Sequence, residues 1–148
     1  MEKAQDGWGC CTYFRPRQNQ WQPKAARVKL PDTWRHTRQA AKTTDINVTE
    51  AASASIALAT WPELTHGLWL HFVDNNNAEQ TLVKGSSSAL GMNTIANYTW
   101  RTAAERHLYL WVDRVSTHDN PTDGLSRGDF SAHREKWELQ EAVLPDLH

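Results

Sequence analysis

Leu68-Trp69-Leu70-His71-Phe72-Val73-Asp74-Asn75-Asn76-Asn77 is an apolar run that breaks off in an aspartate and three asparagines. The run is too short for a helix and shows no alternation of apolar and polar residues. Continuous short apolar runs of this kind belong to strands covered on both faces, so residues 68–73 are expected to form a central strand. Asp74 then stands at the carboxyl end of that strand, where ligands of open α/β sheets collect.

Working upstream, Asn47-Val48-Thr49-Glu50 has the spacing of a capping box, with Asn47 as the cap and Glu50 three residues on. The Ala/Ser/Ile/Leu run 51–60 continues a helix whose small side chains allow close approach to a sheet, and Trp61-Pro62 ends it. Downstream, residues 77–84 read as a short helix stopped by Gly85. Met92, Ile95, Ala96, Thr99 and Ala103 recur at helical spacing over 89–106. Leu108, Leu110 and Val112 then alternate with Tyr109 and Trp111, which predicts a strand over 108–115 parallel to 68–73 across the helical crossover. A helical turn is expected from Asp123 to Gly128.

The N-terminal third contributes a strand over 7–14, a polar turn over 15–20, and a second strand over 21–30. Pro23 directs that second strand to a sheet edge. Residues 31–45 read as a basic connection. The order of elements describes an α/β protein, a mixed sheet with helices packed on it. Residues 1–128 form the domain, and 129–148 a C-terminal tail with a short helix over 132–143.

Composition narrows the function classes. At 148 residues and 39% hydrophobic content the chain can bury a core. No apolar run reaches the roughly 20 residues of a membrane helix. The N-terminus lacks the apolar segment of a signal peptide, so an intracellular location is expected. The adjacent Cys10 and Cys11 are too few for a metal framework and, on a strand, point to opposite faces. The net charge of −1 divides unevenly. Residues 1–45 hold nine Lys/Arg and four Asp/Glu, a balance of +5, and residues 46–148 hold seven and thirteen, a balance of −6. That division suits an enzyme gripping a polyanion with one part and metal ions with the other, or simply two halves that pair.

Glu50, Asp74 and Asp123 come from separate elements, as the carboxylates of a two-metal phosphodiesterase must, converging on ions about 3.5–4 Å apart. Each also has a structural explanation: capping partner, strand-ending turn, helix cap. Their surroundings shift the balance between these. Ile46-Asn47-Val48-Thr49-Glu50-Ala51-Ala52, the segment from Phe72-Val73-Asp74-Asn75 to Leu82-Val83-Lys84-Gly85, and Asn120-Pro121-Thr122-Asp123-Gly124-Leu125-Ser126-Arg127 resemble the ribonuclease H domain of retroelement reverse transcriptases. The nearest likeness is to retrotransposons with a tyrosine recombinase, over residues 7–127.

The resemblance implies a ribonuclease H-like sheet. Glu50, Asp74 and Asp123 would be the second, third and fourth metal-binding acids, holding Mg²⁺ or Mn²⁺ to hydrolyse the RNA strand of RNA–DNA hybrids. His118 is a candidate loop histidine, against an ordinary exposed turn. The family's first acid precedes Gly7-Trp8-Gly9, where this chain has Glu2, with Asp6 the nearest aspartate; the first, central strand is expected to be missing. Arg15, Arg17, Lys24 and Arg27 are candidate contacts to the nucleic-acid backbone, against a solvated edge. Loss of the first acid leads to an impaired nuclease. The alternative is a catalytically inactive, domesticated remnant acting as a structural or binding subunit, with a protein partner or a second copy completing the sheet. Eight Trp supply aromatic surface for such an interface.

Overall fold

Strands and helices do alternate in the computed structural model, which describes residues 8–13, 16–17, 20–21, 24–29, 45–87, 90–116 and 138–147. In chain order these are β1 (Trp8–Tyr13), β2 (Pro16–Arg17), β3 (Gln20–Trp21), β4 (Lys24–Lys29), α1 (Asp45–Thr60), β5 (Gly67–Val73), α2 (Asn76–Lys84), α3 (Leu90–Glu105), β6 (Leu108–Arg114) and β7 (Glu138–Glu141). The architecture is mixed α/β.

The strands fall into separate ladders. β1 and β4 are antiparallel, with Trp8 opposite Lys29 and Tyr13 opposite Lys24. β7 adds to the other side of β4 in parallel, Lys24 opposite Glu138. β2 and β3 close a small antiparallel hairpin. β5 and β6 pair in parallel from Gly67↔Leu108 to Val73↔Arg114, as expected across the crossover, and the Val115 amide extends the ladder to the Val73 carbonyl at 2.8 Å. Among the described residues no ladder joins β1–β4–β7 to β5–β6.

α1 lies at the centre of the molecule. It packs on β1, β5, α2 and α3, and Ala51, Ala52, Ala54, Ser55, Ile56, Ala57, Leu58 and Thr60 are all buried. Small side chains permit contact on every side. The buried Ser55 hydroxyl is satisfied by the Ala52 carbonyl at 2.7 Å. At the helix end the Arg106 guanidinium donates to the carbonyls of Leu58 (2.7 Å) and Trp61 (3.4 Å), placing positive charge on the negative pole.

α2 has both its stops written locally. The Asn75 side chain accepts from the Ala78 amide, and Gly85, at φ 71°, closes the end with its N–H directed to Leu82 and Thr81 carbonyls. The Trp100 indole donates to the Leu82 carbonyl at 2.6 Å and lies 3.4 Å from where a Cβ on residue 85 would stand, an ordinary van der Waals distance, so it is the positive φ that calls for glycine there.

Four expectations need correction. α1 begins at Asp45, not Asn47. Asn47 is therefore inside the helix and Glu50 in its second turn, so they do not form a capping box. β4 is not an edge strand, because β1 and β7 flank it. Pro23 precedes the strand, so the ladder never requires its missing N–H. The short helix expected over 132–143 is replaced at Glu138–Glu141 by a strand. That segment is tied in by Val143 N–H to Thr60 Oγ1 (2.9 Å) and Trp61 Nε1–H to Gln140 Oε1 (3.3 Å), with Ala142 buried.

The fourth correction concerns the decisive run. Trp69, His71 and Val73 face the helices, but Leu68 (70% exposed), Leu70 (51%) and Phe72 (54%) do not. Their partners across the ladder include Tyr109 (76%) and Trp111 (62%) on the same face. Among the described residues β5–β6 is covered on one face only, and β5 has a strand partner on one edge only.

Candidate functional site

The loop 61–66 reverses the chain, so β5 returns alongside α1 in the opposite direction. A hydrogen bond ties the pair: Ser53 Oγ lies 3.0 Å from His71 Nε2. The same hydroxyl donates to the Glu50 carbonyl at 2.6 Å. A serine hydroxyl has one proton, so toward the ring it must accept, and Nε2 carries the hydrogen. Burial holds His71 neutral, its pKa lowered from 6.5 to about 4. The Trp69 ring packs edge-on against it with centroids 5.4 Å apart. Ala54, Val73 and Leu82 form a buried cluster beside this tie.

From Ser53 toward the helix N-terminus, Glu50 lies one turn away, about 4.5 Å along the axis. From His71 toward the strand's C-terminus, Asp74 lies about 10 Å further on. Because α1 and β5 run in opposite directions, both steps lead to the same end of the pair. Glu50 and Asp74 are thus brought to one end, both partly exposed and both engaged in polar interactions.

Asp74 immediately precedes Asn75, the cap of α2. The adjacent Asn76 Oδ1 accepts from Arg114 Nη1 at 2.6 Å, which brings a cation from the end of β6 to this end of the sheet. Carboxylate oxygens suit Mg²⁺ and Mn²⁺. Among the described residues, no group of three or more His, Cys, Asp and Glu is gathered tightly enough to hold a metal ion. Two of the three expected acids are at the acid end, and the third, Asp123, lies outside the described residues, as do Glu2, Asp6, His118 and Arg15.

Of the basic candidates, the side chains of Arg17 and Arg27 also lie outside the description. Lys24 Nζ pairs with Glu63 Oε1 at 3.4 Å, beyond the C-terminal end of α1 and thus at the opposite end from Glu50. The sequence did not single out the Ser53–His71 tie or Arg114. The available signal for the first was a lone histidine in an apolar strand, matched with a serine in a helix of small residues. For Arg114 the sequence carries no signal, because its value lies in the β5–β6 register.

No family model, curated protein or solved structure matches this chain.

Proposed function

We propose that this chain is a ribonuclease H-like domain whose acid end, Glu50 and Asp74 joined by Asp123, serves metal-dependent hydrolysis of the RNA strand of RNA–DNA hybrids. The observation that carries the proposal is the Ser53–His71 bond. It fixes the register of α1 against β5 so that Glu50 and Asp74 share one end. A site of this kind needs carboxylates from separate elements held to about half an ångström. The neutral His71, uncharged near pH 7, holds that register without competing with cations for the carboxylates. Mg²⁺ or Mn²⁺, held by Glu50, Asp74 and Asp123, would neutralise phosphate charge and activate water. Arg114, one residue past Phe72↔Asp113 in the ladder, is positioned to meet a phosphate beside Asp74.

On this reading the activity is an impaired one. A first acid on a strand between β1 and β5 would complete the set, and no described strand joins those two. Such a strand, running parallel to β5, would deliver its C-terminus beside Asp74. The same open edge favours the second reading, an inactive domain that acts as a structural or binding subunit.

A hybrid-cleavage assay with Mg²⁺ and with Mn²⁺ separates them. The chain is expected to cleave weakly, Asp74→Asn to abolish the residue of activity, and an N-terminal extension supplying a strand that ends in Asp-Ala-Ser to raise the rate on the order of a hundredfold. Cleavage unaffected by Asp74→Asn rules out the site. No cleavage in either form, with the extension folded, leaves the subunit reading.

A further inference from the structure

The side chains of Leu68, Leu70, Phe72, Tyr109 and Trp111 form one continuous stripe on the face of β5–β6 turned away from the helices. Leu68 stands opposite Tyr109, and Leu70 opposite Trp111. Taking about 200 Å² for side chains of this size, their exposed fractions leave roughly 600 Å² of apolar surface. That is at the upper limit of the largest patch on an ordinary monomer, about 300–600 Å². A parallel pair open to water on one face is also against the rule that parallel sheets are covered on both.

We infer that this face is the interface of a homodimer, two copies of β5–β6 packed sheet to sheet about 10 Å apart. Three observations favour a second copy as the occupant. The area is sufficient: two such stripes bury roughly 1,200 Å², the lower bound of specific interfaces. The composition is that of an interface centre, since the stripe holds three aromatic rings and no charged residue until its end.

The ends are also complementary. Asp113, opposite Phe72, lies at the carboxyl end of the stripe, and the stacked, exposed His66 and His107 (ring centroids 5.1 Å apart) lie just before its other end. A two-fold axis running across the strands makes the facing sheets antiparallel. It sets the Asp113 end of each copy over the histidine end of the other, and brings Leu70 near its own counterpart. Isologous contacts of this kind close after two copies and leave no growing edge. The inference does not depend on the acid end or on catalysis.

Sedimentation of the full chain across the micromolar range tests it. A dimer is expected, weakened at least roughly thirtyfold by Trp111→Glu and by Leu70→Glu. Both positions are exposed, so circular dichroism should stay unchanged in the two variants. Val83→Glu, at an exposed apolar residue of α2 outside the stripe, should leave the dimer intact. A chain that is monomeric throughout, covering the face by a different partner or by none, overturns the inference. So does a dimer that survives both stripe variants, or one that Val83→Glu disrupts equally.

Discussion

The two faces of the β5–β6 pair are built from the same residue types and are used in opposite ways. Toward the helices, Val73 is buried with Ala54 and Leu82, Trp69 packs against the cores, and His71 bonds Ser53. Away from them, Leu68, Leu70, Phe72, Tyr109 and Trp111 are exposed. Hydrophobicity alone therefore does not say which face folds the chain. The helix-side face carries intramolecular stability and fixes the acid end. The outer face contributes little to the isolated chain and is available to something else.

Four substitutions, one of them read through a titration, can break or sharpen that contrast. The largest effect belongs beneath the inner face. Leu82 is fully buried against Ala54 and Val73, so Leu82→Ala removes its transfer energy and leaves a cavity, a loss of about 2–5 kcal/mol in denaturant unfolding. A loss below about 1 kcal/mol would mean that the inner face is not the core.

Next is the His71 titration. Its folded pKa of about 4 lies below the ordinary 6.5, so between those values the unfolded chain binds a proton that the folded chain refuses. Stability is fully present above pH 6.5 and falls as pH drops toward 4. The full shift corresponds to about 3 kcal/mol, reduced because His71 as a residue is half-buried rather than fully enclosed. His71→Asn should flatten this slope in unfolding curves measured from pH 7 to 4. An unaltered slope would assign the acid lability elsewhere. Ser53→Ala, which leaves the ring N–H without its acceptor, should cost about 1–2 kcal/mol. It should also loosen the register on which the Glu50–Asp74 placement depends, so any hybrid cleavage should drop with it.

What the sequence made legible follows the range of the forces involved. α2 was readable because its stops are local, Asn75 at one end and Gly85 at the other. The parallel pairing of β5 with β6 was readable because a crossover of two helices permits little else. β7 was not, since Glu138-Leu139-Gln140-Glu141 has no strand-forming pattern and gains its place from β4 and from the Thr60 and Trp61 bonds. The outer face was misread for a related reason: an apolar run reports that both faces avoid water, but not that this chain covers both. At the site, Glu50 and Asp74 were visible as acids at element ends. The Ser53–His71 tie that relates them joins residues 18 apart and has no periodic signature.

The smallest effect is the most discriminating. Leu70 is half exposed and faces Trp111 on the outer side. Leu70→Thr places a β-branched strand former at the position while removing apolar surface, so the backbone should be unaffected. What remains is loss of a cross-strand pair contact and of partial burial, together below about 1 kcal/mol in the monomer. The measurement belongs at the lowest usable concentration, because association stabilises the folded state by mass action and would inflate the loss. At higher concentration the same substitution should lower the unfolding midpoint further, the difference growing with protein concentration. A loss of 2 kcal/mol or more at all concentrations, on the scale of a buried leucine, would mean that the folded chain covers this face itself. The contrast between the two faces would then collapse, and with it the dimer.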